Sequence, residues 1–462
     1  MEEVHPFSLK NNQQKQSLKM DSIRKMENVS VLGAAGKMGS GILVLLSLEM
    51  GKLKIGKKEE GNFVLNAIDV SPVALSNLIK YVESQLLKHA EKNIVELRGW
   101  YQNRKDLIDN EEIIRQYVAD VMAIIQTTTR LETAYESDMV FEAIKEDKSL
   151  KVKLFSQIKQ NNAKAWFLTN TSSIPIGEID QEAGLNGDII GYHFYNPPVI
   201  QKLLEIIKSE KTNKELLAFA VDLAKSMRKI VVQSKDVAGF IGNGHFMRDA
   251  LYALDQAQEI AKESSWSKAF FLIDTISRDL LVRPMGIFQL LDYVGVDVTR
   301  FILDSMQPSF PNENLSHGVL NQLLDNDVKG GQFADGSQKD GIFKYERGRI
   351  KEVYDLNEKK YIPVAALESE CKTKMGVLPT SLLAWKTVVR DKLKAKLLEQ
   401  FFNELGQIDG FAAKLAMNYG KNSKAIAQML VDTDVAESAA DVNTVLETGF
   451  FHAYGPINEY FE

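Results

Sequence analysis

The stretch Gly33-Ala-Ala-Gly-Lys-Met-Gly-Ser-Gly-Ile42 constrains this chain most, because of what stands on either side of it. Before it, Asn28-Val-Ser-Val-Leu32 reads as a short buried strand; after it, an apolar stretch reads as a helix packed on a sheet. Between such elements, Gly33 permits the tight turn, Gly36 lets backbone approach a pyrophosphate, and Gly39 allows close helix packing. The helix start then presents N–H groups to phosphate oxygens. Lys37 and Met38 join these three glycines as candidate cofactor contacts. The next strand pattern, Asn62 to Asp69, ends in an acid. Asp69 would accept hydrogen bonds from ribose hydroxyls and favours NAD over NADP, whose extra phosphate would meet a carboxylate. The Gly-x-x-Gly-x-x-Gly spacing departs by one residue from the usual pattern, and the polar stretch Gly51 to Gly61 reads as an inserted loop. An incidental glycine-rich turn is the plainer alternative; strand, helix and acid in sequence argue against it.

Ser71-Pro72 opens a helix, with Ser71 as N-cap and Pro72 at the first helical position, running towards Lys92. A second helical pattern around 111–126 makes a hairpin near 71–126. Further strands are expected at Met139–Glu142, Trp166–Thr169 and Ile189–Phe194. Alternating strands and helices imply an α/β fold, a mostly parallel, doubly wound Rossmann-type sheet over 28–236. From Val237 the pattern turns almost wholly helical. There Arg283-Pro-Met-Gly-Ile-Phe-Gln-Leu-Leu-Asp292 is echoed by His452-Ala-Tyr-Gly-Pro-Ile-Asn-Glu-Tyr-Phe461, with Asp274 and Asp441 upstream of the respective copies. The echo implies duplicated all-α C-terminal domains, 237–345 and 346–462, with the charged segment Tyr345 to Tyr361 as their link.

Composition narrows the class. Across 462 residues, a formal net charge of −6 argues against a general nucleic-acid binder. The lone cysteine, Cys371, excludes an internal disulfide and fits a reducing compartment, here expected to be the cytoplasm. The longest apolar run, Gly41 to Leu48, is too short for a membrane span. Residues 1–27 are polar, without a secretory signal; Glu2, Glu3, Asp21 and Glu27 argue against a transit peptide. They read as a flexible extension, or as sequence ahead of a later start at Met20 or Met26. No Cys/His cluster has metal-ligand spacing, so no metal is expected.

His193 ends an apolar run, with Glu205 twelve positions later. Histidine is the side chain best suited to move a proton near neutral pH, and a carboxylate can fix its tautomer. A lone histidine in such a run is, by itself, more often a core residue. Together with Gly33 to Ile42, the phrases Phe141-Glu-Ala-Ile-Lys-Glu-Asp147, Thr169-Asn-Thr-Ser-Ser173, His193-Phe-Tyr-Asn-Pro197 and Lys235-Asp-Val-Ala-Gly-Phe-Ile241 occur in order. This resembles the L-3-hydroxyacyl-CoA dehydrogenases of fatty acid β-oxidation, in the long form with two C-terminal helical domains. There is no room for the enoyl-CoA hydratase domain that some long forms carry.

The resemblance implies NAD-dependent, reversible oxidation of an L-3-hydroxyacyl-CoA. It makes His193 the base and Glu205 its orienting partner, with Ser172 and Asn243 holding substrate and histidine. Glu142 would lie by the nicotinamide, and Asn170 would be a further cofactor contact. The hairpin after Asp69 would flank coenzyme A, with Lys92 a candidate phosphate contact whose simpler reading is a solvated face. Ser172 lacks a nucleophile-elbow setting and reads as a hydrogen-bonding group. His245 reads as packing. Substrate would sit in the cleft between the sheet domain and the first helical domain. The second helical copy would replace a subunit contact, giving a monomer or homodimer. Two departures bear on acyl preference: Gly244 stands where the family usually has arginine, and Pro198-Val-Ile replaces a Val-Pro-Val-Met type of run. Rival readings are a dehydrogenase of a free hydroxy acid (lambda-crystallin-like), a non-catalytic NAD-binding scaffold, and a helical interaction module fused to a nucleotide sensor.

Overall fold

The computed structural model describes residues 24–333 and 336–461. Most of the expected extension, residues 1–23, therefore lies outside the described residues. Residues 24–27 belong to the fold: Met26 is buried, and Lys25 lies over the Trp166 ring and donates to Lys164 O at 3.0 Å. The chain divides into two compact units. One holds the described residues up to Thr171 with Pro175–Val232; the other holds Ser172–Ile174 with the chain from Gln233 on.

The first unit is built on β1 (Asn28–Leu32), α1 (Lys37–Gly51), β2 (Val64–Ile68), α2 (Pro72–Lys92), α3 (Ile94–Trp100), α4 (Asn110–Met122) and β3 (Ile125–Thr128). It continues through β4 (Met139–Glu142), α5 (Lys148–Asn161), β5 (Trp166–Thr169), α6 (Ile176–Ala183), β6 (Ile189–Phe194), β7 (Leu203–Lys208) and α7 (Lys214–Ser226). With β8 (Ile230–Lys235), the strands stand in the order β3-β2-β1-β4-β5-β6-β7-β8. Pairing is parallel from β3 to β6, and β7 runs antiparallel to β6. Strands β4 and β6 are buried along their whole length, as parallel strands covered on both faces must be. Ser71 caps α2 by accepting from Ala74 N at 3.2 Å, with Pro72 in the first turn. The expected second helix of the hairpin stops at Met122, and its anticipated last residues become the edge strand β3.

The second unit opens with α8 (Gly242–Glu263), α9 (Trp266–Thr275), α10 (Ile287–Val294), α11 (Val296–Met306) and α12 (Gly318–Asp325). The charged segment expected to be a plain link instead forms a three-stranded antiparallel sheet. Its strands are β9 (Phe343–Glu346), β10 (Arg349–Asp355) and β11 (Lys360–Pro363), in the order β11-β10-β9. The cause is local: Arg347 and Gly348 both take positive φ, which closes a tight hairpin, while Phe343 and Val353 turn inward. The chain ends with α13 (Val364–Met375), α14 (Trp385–Val388), α15 (Lys394–Gln407), α16 (Phe411–Asp432) and α17 (Ala439–Gly449).

Duplication is visible in the elements themselves. Helices α8 and α16 are each 22 residues long and begin 169 positions apart (242 to 411). Gly286 and Gly455 keep the same interval (286 to 455). The upstream partner of the repeat, however, is corrected. Asp274 accepts from Gln289 N at 2.8 Å and crowds Gly286, whereas in the second copy Asn443 crowds Gly455 and accepts from Ile457 N at 3.0 Å. Asn443, not Asp441, occupies the Asp274 position; Asp441 belongs to the Ser438 cap of α17. The second copy satisfies the same backbone turn with a neutral side chain.

Candidate active site

The glycine loop is shaped by close backbone approach. Gly33 has φ +73°, and a Cβ there would stand 2.6 Å from Ala143 O; at Gly39 it would stand 2.1 Å from Gly33 O. Gly36 N donates to Gly33 O at 3.0 Å, closing the turn, and α1 begins at Lys37 with no side-chain cap. An uncapped helix start is the end that attracts an anion. Lys37 is exposed and Met38 half-buried on that first turn. Asp69, just past β2, accepts from Ala35 N at 3.0 Å and from Ser71 N at 3.2 Å. The same carboxylate therefore shapes the phosphate turn and stands where ribose hydroxyls would be read. These residues fit a dinucleotide.

At the carboxyl ends of β4 and β5 lies a buried charge cluster that sequence reading found only in part. Glu142, fully buried, accepts from Ile144 N at 2.7 Å, from Lys151 Nζ at 2.6 Å and from Thr169 Oγ1 at 2.5 Å. Lys151 also pairs with Glu146 at 3.1 Å, and Glu146 accepts from Thr171 Oγ1 at 2.6 Å. Burial works against the Lys151 ammonium, yet the two carboxylates outweigh it and hold its pKa above the ordinary lysine value. Glu142 thus acts as an anchor of the strand ends. Asn170 carries that anchoring onward: its N–H donates to Glu142 O, and its Oδ1 accepts from Phe194 N, both at 2.8 Å. The sequence signal for Lys151 was a lysine at the fourth position of α5, too common a feature to stand out.

His193 and Glu205 sit opposite each other in the antiparallel register of β6 and β7. His193 Nδ1 is 3.0 Å from Glu205 Oε2. Glu205 is 0% exposed and His193 8%. A carboxylate accepts, so Nδ1–H is the donor in this pair. Tyr195, missed in the sequence, donates from Oη to Glu205 Oε2 at 2.7 Å, and its ring lies 4.9 Å from the imidazole. Burial, then the Glu205 carboxylate, push the Tyr195 hydroxyl well above its usual pKa, so it stays a donor. The Asn196–Pro197 bond after it is cis.

Ser172 and Asn243 are brought together in the second unit, where Asn243 Nδ2 donates to Ser172 O at 2.9 Å. Lys92 is exposed at the end of α2. His245 is buried in α8, bonded to Ser423 O at 3.1 Å. Near Gly244, the space is bordered by Arg248, which donates to Gly244 O at 2.8 Å and ion-pairs with Glu313 at 2.7 Å. No described helix is long and apolar enough to cross a membrane.

Residues 28–237 match the family described as 3-hydroxyacyl-CoA dehydrogenase, NAD binding domain, and residues 239–339 its C-terminal domain. Hydroxyacyl-coenzyme A dehydrogenase, mitochondrial, of Homo sapiens is 30% identical over 319 residues, covering 68% of this chain and 91% of that protein. The Rattus norvegicus protein of the same name is 30% identical over 294 residues, covering 63% and 83%. The crystal structure of 3-hydroxybutyryl-CoA dehydrogenase from Escherichia coli K12 shares the fold, with a TM-score of 0.62 at 19% identity over 94% of this chain and 90% of that one. The chain belongs to the 3-hydroxyacyl-CoA dehydrogenase family.

Proposed function

We propose that this chain oxidises L-3-hydroxyacyl-CoA to 3-ketoacyl-CoA with NAD, reversibly, in fatty acid breakdown or related acyl-CoA metabolism. The observation that carries it is the buried His193–Glu205 pair, at 3.0 Å, with Nδ1 committed to the carboxylate. That arrangement leaves Nε2 to take the proton of the 3-hydroxyl, while Glu205 stabilises the imidazolium that forms. NAD, when bound, supplies the hydride acceptor. Gly33, Gly36, Gly39 and the first turn of α1 would hold its pyrophosphate, and Asp69 its adenosine ribose. In reverse, protonated His193 returns the proton to the forming alkoxide. Ser172 and Asn243 would orient the substrate, and the α2–α4 hairpin, with Lys92, would meet coenzyme A.

NADH oxidation with acetoacetyl-CoA and longer 3-ketoacyl-CoAs tests this reading, with NADPH and free acetoacetate as controls. Turnover of thioesters with NADH is expected, falling by about 10²–10⁴ in His193→Ala. Near-native turnover by His193→Ala, or turnover of the free acid alone, sinks the assignment.

The second helical copy replaces a subunit contact in this reading, so a monomer or homodimer is expected by light scattering, and an obligate dimer joined through 237–345 counts against it. Supporting it, Tyr419 of α16 donates to Asp249 O of α8 at 3.0 Å, tying the repeats within one chain. A cytoplasmic setting is proposed on the strength of the single, buried Cys371.

A further inference from the structure

Lys229, between α7 and β8, is a buried cation held by backbone carbonyls. It is 8% exposed, and its Nζ donates to Pro198 O and, at 2.6 Å, to Gln201 O. Its ammonium also lies 5.6 Å from the centre of the Phe194 ring. Burial pushes its pKa down to about 8. A lysine taken out of water is costly to the fold unless its donors find good acceptors. Here the acceptors are two carbonyls of a single loop, 195–202, which joins β6 to β7. The strand on one side of that loop carries His193; the strand on the other carries Glu205.

Two further contacts fix the same loop. Ile230 N, next to Lys229, donates to Lys202 O at 2.8 Å. The Pro198 ring also lies against α1, where a Cβ at Gly41 would stand 2.8 Å from Pro198 Cδ. The loop is thus held between the helix that follows the glycine turn and a lysine that gathers its carbonyls.

We propose that Lys229 is a positioning residue: by clamping the 195–202 loop it sets the register and spacing of His193 against Glu205. The proposal rests on the dehydrogenase reading above. The physical demand is clear, because a misplacement of about 1 Å in a reacting group can cost about 10²-fold in rate. Lys229 touches neither His193 nor Glu205; it acts through the loop.

The test pairs kinetics with spectroscopy. In ¹⁵N-histidine-labelled protein the His193 Nδ1–H, bonded to Glu205, gives a downfield proton resonance. Lys229→Met keeps the aliphatic stem and removes the donors. Expected are a kcat for acetoacetyl-CoA reduction lowered about tenfold or more, a KM for NADH within about twofold of native, and a shifted or broadened resonance. Lys229→Arg, which keeps donors, should recover most of both. A native kcat and native resonance in Lys229→Met overturn the proposal, as does a loss carried by KM for NADH alone. If Lys229→Met does not fold, Gly41→Ala decides, since its added methyl presses on the Pro198 ring. An unchanged resonance there counts against the clamp, a displaced one for it. If the native chain reduces no 3-ketoacyl-CoA, the activity reading has failed, while the resonance still reports on the clamp.

Discussion

Tyr195 and Glu205 share a 2.7 Å hydrogen bond to the same carboxylate oxygen that His193 Nδ1 meets at 3.0 Å. A fully buried carboxylate with two donors on one oxygen divides its pull between them. Removing the tyrosine hydroxyl concentrates that pull on the imidazole and favours its charged form. Tyr195→Phe, which keeps the ring beside the imidazole, is therefore expected to move the acidic limb of the oxidation pH profile upward. The KM for NADH should not change. A superimposable pH profile would show that the hydroxyl does not tune the pair.

Asp69 is expected to set the coenzyme preference. Its two oxygens already hold Ala35 N and Ser71 N, so the carboxylate is fixed in place before any ribose arrives. Asp69→Ala removes both the ribose acceptor and the anchor of the glycine turn, and should lower kcat/KM for NADH about tenfold or more. Asp69→Asn keeps one acceptor oxygen and should lie between the two. NADPH should gain relative to NADH in both variants. Steady-state kinetics with the two coenzymes checks this, and an unaltered NADH to NADPH ratio would falsify it.

The Glu142–Lys151–Glu146 cluster should matter first for stability. Lys151 is 1% exposed and Glu142 fully buried, so Lys151→Met leaves a carboxylate in the interior without its counter-ion. Breaking a buried pair this way costs about 3–5 kcal/mol. Urea unfolding followed by circular dichroism should show the loss as a lower midpoint with little change in slope. A midpoint equal to native would mean that Thr169 and Ile144 N hold Glu142 unaided.

Elements carried by local pattern were legible in the chain itself. Strands Met139–Glu142, Trp166–Thr169 and Ile189–Phe194 stand where their apolar runs placed them, and Pro72–Lys92 begins at the Ser71 cap as expected and reaches Lys92. The His193–Glu205 pair was legible through resemblance, and its register then follows from antiparallel pairing of β6 and β7. What escaped depends on contacts between distant positions. Lys229 acquires meaning only when Pro198 and Gln201, about thirty residues earlier, fold over it. The hairpin at Arg347–Gly348 was masked because its exposed strands are rich in charge, which reads as a solvated link. The repeat was recognised, but Asp441 was matched to Asp274 by side-chain identity, whereas the turn selects by position and accepts Asn443.

His245 is buried in α8 with Ser423 of α16 as its partner. Burial lowers its pKa; Asp249 opposes this, and Arg283 and Arg248 add to it. With a folded pKa below the unfolded value of about 6.5, the unfolded chain binds more protons as pH falls through and below that value. The stabilisation is fully present above about pH 6.5 and is lost progressively on acidification. Asp274 and Asp292 act the other way, because burial raises their pKa values to about 6 and about 8. Their neutral forms favour the fold at low pH, and that contribution is lost as pH rises from about 4 through these values. The net curve of the native protein therefore mixes both signs, and only a difference isolates the histidine. His245→Gln, which keeps a donor for Ser423 O, should have a lower Tm than native at pH 7.5, with the gap narrowing as pH falls towards 5.5. A gap that is constant across this range would show that His245 takes up no extra proton on unfolding.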